Sequence, residues 1–206
     1  MTQWVENPTG GRDRGPAALI RAWAEVLVRP RRLFQSGVAP GDQAPGLVFA
    51  GAVVFVEELT RVLTGAAAYP VFGGRPTAST ALALALAVVL VAPAALHLTA
   101  ALQTLVLIPT APDRAGVSET VQVIAYSTGP CVFVGLPSPA VRVVATAYAS
   151  VLLAVGISDV HNVSLPKAGL LSAVPAALVF GYGFRGFAAL SALTGLTWAD
   201  VVAVVS

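Results

Sequence analysis

Residues 76–112 read PTASTALALALAVVLVAPAALHLTAALQTLVLIPTAP, a run without a formally charged side chain that ends at Asp113. As a helix its central part, Ala78–Ile108, would reach ~46 Å, against a ~30 Å hydrocarbon core. Such a segment must tilt, bend at Pro93 or extend into the interface. The rest of the chain agrees with this reading. Over 206 residues it is 56% apolar and 11% charged, with a mean hydropathy of +0.80. A water-soluble domain carries about 25% charged residues because water must wet its surface. Here the surface has to face lipid. The length by itself excludes nothing, since a soluble domain of this size could bury a core.

Working outward from that run, four more segments have the composition of spans. Span one is expected at Gly46–Thr64 and span two at Ala78–Ile108. Span three, Glu119–Leu136, is short, polar in its first half and divided by Gly129-Pro130. A tight Leu136-Pro-Ser-Pro139 turn leads to span four, Ala140–Val160, and span five covers Lys167–Leu190. The expected fold class is all-α: a polytopic membrane helix bundle of about five transmembrane helices, occupying 46–190. The tail, 191–206, is too short to cross and belongs at the surface.

Before the first span, residues 1–15 are polar and Gly-rich and predict a disordered basic tail. Residues 16–34 predict an interfacial amphipathic helix, broken by Pro30. Leu19, Ile20, Trp23, Val26 and Leu27 share one helical face, with Arg21, Glu25 and Arg29 elsewhere. Packing against the protein's own loops is the alternative for that face. No cleavable signal peptide is visible, so the first span is expected to direct insertion.

Six arginines fall within the first thirty-two residues, and the formal net charge is +2. Beside so apolar a chain, this bias points to anionic lipid headgroups and to positive-inside orientation, with no nucleic-acid partner. The N-terminus then lies in the cytoplasm. Arg114 and Lys167 join the six on that side, against Arg75, Arg142 and Arg185 outside, so the C-terminus emerges outside the cell membrane. The preference for Arg over Lys suggests a GC-rich prokaryotic coding sequence. Cys131 is the only cysteine, which excludes an internal disulfide and a thiolate cluster.

Helices in lipid associate through small residues and a few polar contacts. Gly169, Ala173, Ala177 and Gly181 recur every four residues in span five, and Ala145 and Ala149 do so in span four. The span-five stripe predicts a close internal helix–helix contact or, failing that, the seam of a homo-oligomer.

The order of these features resembles the Yip family, membrane proteins named for interaction with Ypt/Rab GTPases, and its prokaryotic members in particular. The similarity rests on Trp23 with the stretch Val26-Leu-x-Arg-Pro-x-x-Leu-Phe34, on Tyr126 with Pro130, and on His161 closing span four. It covers about residues 20–185. It implies a five-helix membrane domain without catalysis, acting in membrane traffic and shaping. A prokaryote lacks the Rab pathway, so the protein partner does not carry over.

The sharpest candidate site is Glu57, Glu58 and Arg61 inside span one. An ionised side chain at a span's centre costs ~2.5–3.5 kcal/mol on insertion scales, so it is usually paired. Both glutamates reach Arg61, at i, i+4 and i, i+3. One arginine cannot balance two carboxylates, so one glutamate must be protonated or must face water or another helix. The cluster reads as a structural lock or, alternatively, as the proton or cation path of a small transporter. His97, one turn after Pro93, could satisfy polar groups freed by the proline or face a cavity with Thr104. Tyr126, Asp159 and His161 are secondary candidates. Asp159 and His161 do not share a helical face, so a metal pair is not expected. Gly181-Tyr-Gly-Phe-Arg-Gly186 matches the G-x-G-x-x-G string, but follows an alanine-rich helical run rather than a strand and is discounted as a nucleotide site. Neither catalytic residues nor a cofactor are expected.

Overall fold

The computed structural model describes residues 6–7, 11–12, 15–67 and 69–196. The expected disordered tail falls mostly outside them; within it, Glu6–Asn7 pairs antiparallel with Gly11–Arg12. Residues 197–206 of the expected surface tail also lie outside.

The rest is helical. Helix α1 (Pro16–Val28) stops where Pro30 cannot donate, and α2 (Pro30–Gly37) restarts with that proline in its first turn. The expected amphipathic segment is therefore two helices with an elbow at Arg29. Its buried face is also shifted from the expected one. Ala18, Ala22 and Val26 are buried, while Ile20 is 65% exposed. Small residues allow the close approach: a Cβ on Gly129 would stand 2.6 Å from Val26 Cγ1.

Helix α3 (Ala44–Leu63) takes the place of span one. Helices α4 (Pro76–Leu86) and α5 (Ala92–Leu107) form one continuous 32-residue helix, joined by a π-helical stretch at Ala87–Val91. The cause is Pro93, whose ring would collide with the Val89 carbonyl and which has no N–H to offer it. The wider turn, with Ala92 N–H reaching Ala87 O, absorbs the misfit without a sharp bend.

Helix α6 (Val117–Ser127) ends at Gly129-Pro130 and continues as a 3₁₀ turn, Gly129–Phe133. Every residue from Thr120 to Ser127 is buried, so α6 is the axis around which the other helices pack. Its polar side chains are satisfied locally. The Gln122 amide, for example, grips both backbone groups of Ala39 in the α2–α3 linker, at 2.7 and 3.0 Å.

Helix α7 (Pro139–Val160) is capped by Ser138. The expected fifth span is broken. Helix α8 (Leu165–Leu171) meets α9 (Ala173–Ala176) and its π-helical continuation, Ala177–Gly183, at 57°. Pro175 explains the break. It cannot donate to Leu171 O four residues earlier, and Gln103 Nε2 from α5 takes that carbonyl at 3.3 Å. Helix α10 (Gly186–Thr194) closes the described chain.

This break corrects the span-five stripe. Gly169 has open space where a Cβ would stand, Ala173 is exposed, Ala177 is half-buried, and only Gly181 is buried, against Phe187 of its own hairpin. The four do not make one internal contact, because the bend at Ser172 turns the stripe away from itself. Ala168, Ser172, Pro175 and Phe180 are buried instead. Ala145 and Ala149 on α7 are buried.

By length and composition two helices can cross a membrane, Pro76–Leu107 and Pro139–Val160, or three if the bent α8–α9 pair is one span. Helix α3 has the length, but Glu57, Glu58 and Arg61 fall in its last turns.

Candidate functional site: a closed charge cluster between α3 and α10

Glu57 and Glu58 lie on the inner side of α3, with Glu57 at 2% exposure. Gly135, just after the 3₁₀ turn, lets the chain press against this point, since a Cβ there would be 2.3 Å from the Glu57 carbonyl oxygen. On α3 itself, Arg61 donates to Glu58 at 2.7 Å and stands 3.9 Å from Glu57. The sequence anticipated these two contacts.

Two further groups complete the cluster. Arg185 joins the π-helical stretch to α10 with φ +61°, a left-handed conformation that non-glycine residues seldom adopt. From there it bridges both carboxylates, donating to Glu57 at 2.8 Å and to Glu58 at 2.7 Å. The Tyr69 hydroxyl also donates to Glu58. Burial, and then the Glu58 carboxylate it serves, push that phenol up to about 12, so Tyr69 stays a donor at neutral pH. Two carboxylates now face two guanidinium groups. The formal imbalance expected from α3 alone disappears, and the remaining lone pairs are occupied by donors.

Sequence reasoning missed Arg185 because it lies 128 residues from Glu57 and was counted only as an outside charge. A signal existed: α3 has one carboxylate in excess, and in a five-span chain the ends of spans one and five meet the same membrane face. The Gly181–Gly186 string, discounted as a nucleotide motif, turns out to carry that arginine. Its glycines serve packing: a Cβ on Gly186 would come within 2.7 Å of Phe180 O and of Thr146 Oγ1.

The other candidates are scattered. His97 is exposed and links Pro93 O, at 2.7 Å, to the Gln43 side-chain amide, at 2.9 Å. It thus bonds the carbonyl of Pro93 itself, not that of Val89, while Thr104 donates to its own helix at Ala100. Tyr126 is fully buried, edge-on to Phe49 at 5.2 Å. Asp159 pairs with Arg31 at 3.5 Å. His161 is buried with Nε2 3.3 Å from Thr120 Oγ1. That hydroxyl already donates to Gly116 O, so the imidazole is the donor. Burial, aided by Arg114, lowers the His161 pKa to about 4, which keeps the ring neutral. Among the described residues, no three His, Cys, Asp or Glu side chains gather as metal ligands.

The residues that carried the family resemblance hold the N-terminal helices onto the bundle. Trp23 donates its indole N–H to Gly129 O at 2.8 Å, and Phe34 packs where a Cβ on Gly156 would be 2.9 Å from its ring. No curated protein and no solved structure matches the chain. The family model of the Yip1 domain does match, over residues 24–185, from the residue after Trp23 through Arg185, and the chain therefore belongs to the Yip family.

Proposed function

We propose that this protein is a non-enzymatic five-span bundle of the cell membrane that organises lipid or binds a protein partner, with the charge cluster as its structural lock. The observation that carries this reading is the closure of the cluster: each carboxylate contacts both guanidinium groups or the phenol. A transport site keeps a position open for its ion, and this one is filled by the protein's own cations.

Five passes are supported by lengths and by ends. Helix α6 and its 3₁₀ turn together reach ~26 Å, nearly a hydrocarbon thickness although neither alone does. The Arg185 contacts join the end of α3 to the end of the α8–α9 segment, as four intervening passes require. At the opposite end Lys167 donates to Thr110 O. The N-terminus is assigned to the cytoplasm by its arginines. In a Cys131→Ser background, an impermeant thiol reagent applied to intact cells should label Arg75→Cys and leave Gly10→Cys unlabelled. Labelling at position 10 overturns the orientation.

The alternative, a small proton or cation transporter, draws on one observation: a charge cluster beside a broken helix, an arrangement transporters use. Reconstituted vesicles distinguish the two readings. The lock predicts no ion flux above protein-free vesicles, whereas a flux abolished by Glu57→Gln in a well-folded protein would establish the transporter.

A further inference from the structure

Helix α3 shows two faces. Its inner one carries the glutamates. Along its outer one, Phe49, Val53, Val56 and Thr60 repeat at i, i+4, i+7 and i+11 and form a wall of an open groove of about 510 Å³. The opposite walls come from Trp23 of α1 and from Phe133 and Leu136 around the 3₁₀ turn. The groove has no polar group to spare. Thr60 Oγ1 donates to Val56 O at 2.7 Å within its own helix, and the Trp23 indole N–H is held by Gly129 O. Water entering it would find no partners.

Dimensions and charge identify the occupant. From Phe49 to Thr60 the wall runs ~16 Å, and one leaflet of a ~30 Å hydrocarbon core is ~15 Å deep. A second helix is excluded by volume: a cylinder ~10 Å across would need roughly 1,200 Å³ over that length, more than twice what is present. At the α1 end, Arg21 is exposed and follows Ile20, a groove residue, while Arg31 and Arg32 of α2 remain more than half exposed despite their ion pairs.

We propose that this groove holds one acyl chain of an anionic phospholipid, with the headgroup resting on the basic α1–α2 elbow at Arg21. The inference rests on the membrane reading above and gives it a lipid class. Trp23 then serves as the chain's side wall, and its bond to Gly129 fixes that wall in place.

Trp23 also supplies the probe. In the full chain carrying Trp4→Phe and Trp198→Phe, it is the only tryptophan. The purified protein in mild detergent is titrated with phosphatidylglycerol brominated along its acyl chains, with brominated phosphatidylcholine, and with acrylamide. Saturable quenching by the brominated anionic lipid is expected. Ala52→Phe or Val56→Phe, which fill the groove, should remove the saturable part while the protein still elutes as one species. Arg21→Gln should weaken the anionic lipid about fivefold, as expected for ~1 kcal/mol per basic residue at an anionic surface, and leave the zwitterionic one unchanged. Quenching that rises linearly, equally in parent and filled variants, overturns the groove but leaves α1 in the membrane. Equal midpoints for the two lipids overturn the headgroup assignment. Quenching by acrylamide alone overturns the membrane placement of α1 itself. Protection from all three quenchers in a dimer would assign the surface to a second copy and overturn the lipid.

Discussion

Arg185→Leu is expected to lower the stability of the folded protein by about 3 kcal/mol, the lower end for breaking a buried ion pair. Arg185 is the contact that ties α10 to α3, and it satisfies Glu57 and Glu58 at once. Its side chain is 32% exposed, which is why the lower end of the range applies. Leucine also carries a Cβ, so the left-handed backbone at this position costs about the same in both proteins. What changes is that two buried carboxylates are left with Arg61 alone. The double variant Glu57→Gln with Arg185→Leu removes one charge of each sign and leaves the 2.7 Å Glu58–Arg61 pair intact. It should therefore be more stable than Arg185→Leu by itself, although it carries more substitutions. For the same reason Arg61→Leu should reduce folded protein more than the triple change Glu57→Gln, Glu58→Gln, Arg61→Leu. Unfolding followed by circular dichroism in mixed detergent micelles measures all four variants. If Arg185→Leu is as stable as the double variant, the cluster is not a lock.

That cluster also marks where the sequence stops being legible. The uncharged run at 76–112 specified a long helix through length and composition alone, and Pro30 announced the α1–α2 break because proline acts on its own neighbourhood. Glu57, Glu58 and Arg61 were readable as a group for the same reason, being one turn apart. Arg185 and Tyr69 were not, since a pairing across many residues leaves no local pattern. Pro175 is the instructive failure. It stands inside the expected fifth span and was passed over in favour of the alanine-rich run around it. The backbone obeyed the proline, and Gln103 of another helix supplied the missing donor to Leu171. The stripe from Gly169 to Gly181 was drawn on a straight helix that this proline does not allow. Spacing predicts a face only while the helix axis continues.

Glycine substitutions separate these two kinds of position, and Gly135→Ala is expected to be among the most damaging single-methyl additions in the chain. A Cβ at 135 would lie 2.3 Å from the Glu57 carbonyl oxygen and 2.8 Å from Thr60 Cβ. The first contact is backbone in the middle of α3, so no rotamer change can relieve it. Either α3 or the segment after the 3₁₀ turn must move, and that movement pulls Glu57 away from Arg185. Overpacking of a tight site costs about 1–3 kcal/mol, and the upper part of that range is expected because the shift also strains the charge cluster. Gly169→Ala is the matched control. It lies in the short helix α8 with nothing within 4 Å of the new methyl, so the gain in helix propensity, ~0.5–1 kcal/mol, is unopposed. If the span-five stripe were a tight internal seam, Gly169→Ala would instead be destabilising. Detergent thermal unfolding of both variants beside the parent decides the matter. A Gly135→Ala protein as stable as the parent would show that α3 and the 3₁₀ segment are not in contact at that point.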